Sequence, residues 1–97
     1  MYRSGKKVRE DGLTVWVAPR SDEADTRLGM SIRATTGTAA ERNRLRRRVR
    51  EIFRAYDPLP GSDVVLAATR EAAGRNFQDL QSRLTVALER AGVRRRA

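Results

Sequence analysis

Residues 38–58 read TAAERNRLRRRVREIFRAYDP, and this stretch decides how the rest of the chain can fold. Thr38 followed three residues later by Glu41 is the pattern of a capping box, which predicts a helix that starts after Thr38. Pro58 disfavours the helical conformation of the residue before it, so the helix is predicted to end before Pro58. Apolar side chains recur at helical spacing, at Leu45, Val49, Ile52, Phe53 and Tyr56. The sequence therefore predicts an amphipathic helix whose apolar stripe packs on a sheet.

The side of this helix opposite the apolar stripe is almost entirely basic. From residue 42 to residue 54 there are seven arginines and a single acid, Glu51. On a helical wheel, that side holds Asn43, Arg46, Arg47, Arg50 and Arg54. Like-charge neighbours on a helix cost roughly 0.2–0.5 kcal/mol per pair, and we expect Glu51 to relieve only Arg47 and Arg48. A solvated helix face is the alternative interpretation, but such faces normally mix both signs. The pattern favours nucleic acid as the partner.

Four short stretches around the helix have the patterns of β-strands. They span residues 6–9, 13–18, 27–33 and 63–68. The second and third alternate in polarity, which indicates that one face of the sheet is buried. Asp11-Gly12, between the first two stretches, is a hairpin-turn signal. A last helix is predicted to begin after Asn76 and to be stopped by Gly92. The order β-β-β-α-β-α predicts one sheet with helices packed on it.

Length and composition restrict the class of protein further. The 97 residues form one domain, residues 1–97, with a net charge of +9. Because Lys6 and Lys7 are the only lysines, 19 of the 21 basic residues are arginines, whose guanidinium binds phosphate with two hydrogen bonds. The absence of Cys and His excludes a thiolate zinc site and the usual general base at neutral pH. No apolar run is long enough to span a membrane, so we expect a cytoplasmic protein that binds a polyanion.

The spacing of the arginine-rich helix resembles the RNR signature of the bacterial ribonuclease P protein component. The matching residues are Arg42-Asn43-Arg44, Leu45, Arg46-Arg47, Arg50-Glu51 and Phe53-Arg54. Residues 27–32 and 63–68 resemble the strands that precede and follow this signature in the family. The family's C-terminal helix resembles residues 70–92, and the end of its N-terminal motif resembles residues 2–7. The resemblance thus covers nearly the whole chain.

For the fold, the resemblance implies an α/β (α+β) sandwich, a small four-stranded sheet packed with helices. It also implies a left-handed strand-helix-strand crossover around the arginine helix. Right-handed crossovers are the general rule for parallel strands, so this hand rests on the resemblance alone. Relative to the family pattern, we expect most of the N-terminal helix to be missing from this sequence. The basic pair that the family has after Ile32 is reduced here to Arg33.

For the function, the resemblance implies the RNA-binding subunit of ribonuclease P. With a catalytic RNA and magnesium, that enzyme removes the 5′ leader from precursor tRNA by endonucleolytic cleavage. The expected partners are therefore the catalytic RNA and precursor tRNA. We expect Mg²⁺ to be required by the RNA-containing holoenzyme, with no cofactor bound by the protein alone and no catalytic residue in this chain.

The resemblance also assigns residues to each RNA. Contacts to the catalytic RNA are expected from Arg42, Asn43, Arg44, Arg46, Arg47, Arg50 and Arg54. Asn43 could instead stabilise the helix locally. The leader is expected on the outer sheet face, at Trp16 with Tyr2 and Arg33, because an indole stacks a base for about 1–3 kcal/mol without sequence preference. The alternative for Trp16 is ordinary core beneath a helix.

Two other functions remain open from the residues themselves. A ribosomal or other structural RNA-binding protein would share the size and charge of this chain. A DNA-binding module would place the arginine helix in a major groove, although Asn43 is then the one base-reading amide at the start of the helix. A nuclease that acts without RNA is disfavoured, because the sequence offers no histidine and no cluster of carboxylates for metal or base.

Overall fold

The computed structural model describes residues 5–96 and contains one mixed sheet and three α-helices in that range. The strands are β1 (Lys6–Glu10), β2 (Leu13–Pro19), β3 (Arg27–Ser31) and β4 (Ser62–Ala68), and the helices are α1 (Ala39–Tyr56), α2 (Arg70–Ala73) and α3 (Phe77–Arg90). A single 3-10 turn, Ala34–Thr36, joins β3 to α1. The predicted α/β (α+β) architecture with a four-stranded sheet is confirmed.

The strand order in the sheet is β1-β2-β4-β3. β1 and β2 form an antiparallel hairpin, and β4 pairs antiparallel with β2 on one side and parallel with β3 on the other. The crossover from β3 to β4 therefore runs through α1, as the sequence predicts, and its hand stays a prediction. The Asp11-Gly12 turn is also confirmed, because both residues have positive φ, +36° and +86°, which a two-residue type I′ turn requires.

The core lies between one face of the sheet and helices α1 and α3. Val8, Leu13, Val15, Val17, Val64 and Leu66 line the sheet side of this core. Leu45, Val49, Ile52 and Tyr56 of α1 and Leu80, Leu84 and Leu88 of α3 complete it. Phe53 is partly buried against the same cluster, so both aromatic residues of α1 pack on the core as expected. The opposite face of the sheet carries the residues that alternate with the core, among them Thr14, Trp16, Val65 and Ala67.

Several element boundaries differ from those predicted. β3 ends at Ser31 rather than at residue 33, because Ser31 is the last residue paired with β4 and Arg33 caps the 3-10 turn. β1 extends one residue further, since Glu10 pairs with Leu13 across the hairpin. Residues 70–92 form two helices, because Asn76 caps a new one: its side chain accepts a hydrogen bond from the Asp79 amide at 2.8 Å. α3 ends at Arg90 and is followed by Gly92 with φ +85°, so the predicted start after Asn76 and stop at Gly92 are confirmed, and only the single helix that the resemblance implied over residues 70–92 is not found.

Candidate RNA-binding surfaces

The arginine-rich helix α1 is fixed at both ends by local hydrogen bonds. The Glu41 amide donates to Thr38 Oγ1 at 3.1 Å, and the Thr38 amide donates to Glu41 Oε1 at 2.8 Å. This confirms the predicted capping box, and the bond from the Thr38 amide lowers the pKa of the Glu41 carboxyl. At the other end, Asp57 before Pro58 leaves the right-handed helical region with φ +54°. The 18 residues between these ends form one continuous helix.

The arginines of α1 differ from those elsewhere in their ion pairing. Six arginines form ion pairs with carboxylates: Arg20, Arg27, Arg75, Arg83, Arg90 and Arg96. Among residues 5–96, none of the seven arginines of α1 forms such a pair. The expectation that Glu51 relieves Arg47 and Arg48 is therefore wrong. Glu51 lies C-terminal to Arg47, the weaker order for a pair four residues apart, and Arg48 points to the Arg75 carbonyl, 3.1 Å from Nη1.

Two of the seven arginines are engaged with backbone carbonyls. Arg48 is half-buried against Arg75, and Arg42 is half-buried against the turn that precedes the helix. The remaining five are Arg44, Arg46, Arg47, Arg50 and Arg54, which we call the α1 arginine surface. Arg46 Nη1 donates to Asn43 Oδ1 at 3.2 Å, so the Asn43 side chain contacts its own helix. The α1 arginine surface therefore presents five positive charges, none of which forms an ion pair with a carboxylate among residues 5–96.

A depression of about 450 Å³ borders this surface at Arg50, Phe53 and Arg54. Its far wall contains Asp25 and Asp57, and both carboxylates bind the Arg96 guanidinium, at 3.5 and 3.2 Å. This pairing neutralises acids that would otherwise repel phosphate beside the α1 arginine surface.

Three consecutive arginines, at residues 94–96, form a second basic cluster, and two of them are engaged with the protein. Arg96 forms the ion pairs just described, and the guanidinium of Arg95 lies 4.6 Å from the centroid of the Tyr56 ring. The backbone of Arg95 also bridges to Pro58. Much of this cluster therefore fastens the end of the chain to the end of α1.

The outer face of the sheet forms a second candidate surface around Trp16. Trp16 lies opposite Lys7 on β1 and Val65 on β4, and it is half-buried outside the core cluster. Lys7 Nζ is 5.5 Å from the centroid of the indole ring. The structure thus places Trp16 on the outer face, as the alternation of β2 predicts, rather than beneath a helix. Its contact with a leader stays a prediction.

A groove of about 380 Å³ crosses this face, and we call it the sheet groove. It is lined by Gly12, Thr14, Trp16, Ser31, Arg33, Thr35, Thr36, Ala67, Ala68, Thr69 and Arg70. The structure therefore brings Trp16 and Arg33 together, whereas Tyr2 lies outside the described residues. Arg33 and Arg70 are exposed and have no ion-pair partner within the part of the chain that the structure describes. The groove combines an aromatic ring, hydroxyl groups and two available guanidinium groups.

Sequence reasoning missed most of the residues that line the sheet groove, among them Thr35, Thr36, Thr69 and Arg70. These four come from the 3-10 turn and from the start of α2, which converge only because β3 and β4 are parallel neighbours. Their positions in the sequence could have predicted them, because residues that follow adjacent parallel strands meet at the same edge of a sheet.

The described residues offer no cluster for a metal ion. Between residues 5 and 96, no three acidic side chains gather into a group that could hold one. In the same range, no helix combines the length and apolarity needed to cross a bilayer.

Comparisons with known proteins point to one family. The family described as Ribonuclease P matches residues 1–92. The ribonuclease P protein component of Gluconacetobacter diazotrophicus is 39% identical over 93 residues, which cover 93% of this chain and 80% of the relative. The component from Staphylococcus epidermidis RP62A is 31% identical over 94 residues, covering 96% of this chain and 82% of the relative.

Solved structures show the same fold. The RNase P protein of Staphylococcus aureus superposes with a TM-score of 0.84 at 26% identity, covering 95% of this chain and 85% of that one. The RNase P protein from Thermotoga maritima gives a TM-score of 0.78 at 27% identity, with 92% and 86% covered.

Proposed function

The chain belongs to the ribonuclease P protein family, and from this premise we propose that its two surfaces bind two different RNAs. The α1 arginine surface binds the catalytic RNA subunit of ribonuclease P, and the sheet groove binds the single-stranded 5′ leader of precursor tRNA. The chain is thus the RNA-binding subunit of an endoribonuclease, and its own part in the reaction is to hold and orient RNA. We place this reaction in the cytoplasm.

One observation carries the first half of the proposal. Five exposed or half-exposed arginines on one helix have no described carboxylate partner, although six other arginines of the chain do. Phosphates would supply the negative charge that this helix lacks. Each contact also releases counterions from the RNA, which favours binding. The planar guanidinium suits phosphate oxygens because it donates two parallel hydrogen bonds.

The chemistry of the sheet groove carries the second half. Trp16 lies half-buried on the outer face of the sheet, and an indole can stack an unpaired base without regard to its identity. Arg33 and Arg70 stand at the groove with charge available for the backbone of the strand. Thr14, Thr35 and Thr69 add hydroxyl groups that can bind ribose or phosphate. A single strand of variable sequence, such as a leader, fits this combination.

Hydrolysis itself is assigned to the RNA. In the holoenzyme, magnesium ions bound by the catalytic RNA would activate the attacking water. The side chains of this chain bring substrate and RNA together, which is expected to lower the magnesium concentration that the reaction needs.

Reconstitution tests this function directly. The protein is mixed with the ribonuclease P RNA of the same organism, and cleavage of precursor tRNA is measured at low magnesium. We expect cleavage to be faster with the protein than with the RNA alone. An Arg46→Ala/Arg50→Ala double variant is the matched control and should stimulate less at the same concentration. Equal rates with and without the wild-type protein would contradict the proposal.

A further inference from the structure

Arg42 and Arg44 belong to one sequence signature, but their surroundings differ. Arg42 is half-buried, and its Nη1 donates to the carbonyl oxygens of Ala34 at 3.1 Å and Gly37 at 2.9 Å. Arg44 is exposed and has no hydrogen-bond partner among residues 5–96. The Nη1 group of Arg42 is therefore already engaged with the protein, whereas the guanidinium of Arg44 is available to a phosphate.

The carbonyls that Arg42 binds belong to both ends of the turn between β3 and α1. This turn carries Arg33, Thr35 and Thr36, which form part of the wall of the sheet groove. Within the turn, the Thr36 amide donates to the Arg33 carbonyl at 3.0 Å, and the Gly37 amide donates to the Ala34 carbonyl at a longer 3.4 Å. These two bonds alone leave the exposed turn weakly held.

The turn is tied to the rest of the fold at two points. Thr36 is 4% exposed, and its hydroxyl donates to the Ala68 carbonyl at the end of β4, at 3.3 Å. Arg42 provides the second tie, from the first turns of α1. The helix that carries the α1 arginine surface is thus joined through Arg42 to the wall of the sheet groove.

We propose that Arg42 is a positioning residue that holds the Arg33–Gly37 segment in the shape of the leader-binding groove, and that it does not bind the catalytic RNA. This inference rests on the proposed function of the sheet groove. Under this proposal, Arg42 supports leader binding by holding the groove in shape, and Arg44 contacts the catalytic RNA directly. The two arginines are therefore expected to differ in every assay that separates the two RNAs.

The test uses three full-length variants: Arg42→Met, Arg42→Lys and Arg44→Met. Arg44→Met is the matched control, because it removes the same group two residues away. Trp16 is the only tryptophan in the sequence and lines the groove, so its fluorescence reports binding of a short oligouridylate to the free protein. The salt dependence of binding to the ribonuclease P RNA is measured in parallel. Hydrogen exchange of the Thr36 and Gly37 amides reports the turn itself.

We expect Arg42→Met to weaken oligouridylate binding by about 3- to 10-fold, the loss of one or two net hydrogen bonds. Its turn amides should exchange faster, while the amides of β4 stay protected and the salt slope for the catalytic RNA stays unchanged. Arg42→Lys should bind nearly as the wild type does, since an ammonium can donate to both carbonyls. Arg44→Met should leave oligouridylate binding unchanged and lower the salt slope by about one.

Each contrary result overturns a distinct statement. If the wild type binds oligouridylate and Arg42→Met binds it equally well, the positioning role is wrong and the groove assignment stands. If Arg42→Met lowers the salt slope as Arg44→Met does, Arg42 is an ordinary phosphate contact. Global unfolding of Arg42→Met would also contradict the proposal, which expects a loosened turn on an intact core. If the wild type itself fails to bind, the leader assignment of the groove falls, and the positioning role falls with it.

Discussion

At the scale of single residues, the partner of each guanidinium separates arginines that hold the fold from arginines that are available to RNA. Arg48 and Arg50 illustrate the difference on one helix. Arg48 donates to the Arg75 carbonyl at 3.1 Å and is half-buried, whereas Arg50 is exposed on the α1 arginine surface. In the sequence both residues are arginines of the same helix and carry the same charge. Only the hydrogen-bond partner and the burial distinguish them.

Replacing Arg50 with Ala is expected to weaken binding to the ribonuclease P RNA and to lower the salt slope of log K by about one. The same is expected for Arg46. The free energy of unfolding should stay unchanged or rise by roughly 0.2–0.5 kcal/mol, because a like-charge neighbour is removed. Titrations at several salt concentrations measure the slope, and urea unfolding measures the stability.

Arg48→Ala is the matched control for this prediction. It should keep the salt slope and lose about 0.5–1.5 kcal/mol of stability with its hydrogen bond. Normal binding by Arg46→Ala and Arg50→Ala at every salt concentration would identify the row as a solvated face.

At the scale of elements, α1 depends on its cap because little else fixes its first turn. Ala39, Ala40 and Glu41 are all exposed, so packing contributes little there. Thr38→Ala is expected to lower the free energy of unfolding by about 1 kcal/mol, since two amides of the first turn lose their partner or its support. Thr38→Ser keeps the hydroxyl and should stay near the wild type. Equal stability of all three proteins in urea would show that the cap contributes nothing.

The loop between β2 and β3 is organised by Arg20, and this predicts a pH dependence. Arg20 Nη1 donates to Asp63 Oδ1 at 2.6 Å and to the Ser62 carbonyl at 2.7 Å. The bond from Arg20 lowers the pKa of Asp63 below its ordinary value of 3.8. The contribution of this pair to stability is therefore fully present above that value and is lost as the pH falls through the lower pKa of the folded protein.

Asp63→Asn tests this dependence. The variant should be less stable than the wild type near neutral pH, and the difference between them should shrink as the pH falls below about 4. Urea unfolding of both proteins across this range gives the comparison. A difference that stays constant with pH would mean that the ionised form of Asp63 does not contribute through Arg20.

At the scale of the whole molecule, the elements could be predicted from the sequence, but their arrangement could not. Thr38, Glu41 and Pro58 fix the bounds of α1 through local chemistry, and Asp11-Gly12 fixes the hairpin in the same way. The insertion of β4 between β2 and β3 has no local signal, because it depends on how the whole chain packs. The hand of the crossover rests on the family resemblance and stays a prediction, since the general rule favours the opposite one.

The candidate site divides along the same line. The α1 arginine surface follows from helical periodicity, and the outward position of Trp16 follows from strand alternation. The role of Arg42 could not be predicted, because its acceptors are backbone carbonyls, and every residue has one. The groove wall at Thr36, Thr69 and Arg70 comes from segments that are distant in sequence, so it becomes visible only once β3 and β4 are paired.

We propose that the protein binds its two RNAs through separate surfaces, and the Trp16→Ala variant tests this proposal most directly. The measurement is the ratio of holoenzyme affinities for precursor tRNA with and without its leader. We predict that the variant loses about 1–3 kcal/mol of binding to the leader-containing substrate and none to the leaderless one. Its melting temperature and its affinity for the catalytic RNA should barely change. Equal losses for both substrates, with about 3–5 kcal/mol of stability lost as for a core aromatic, would contradict the claim.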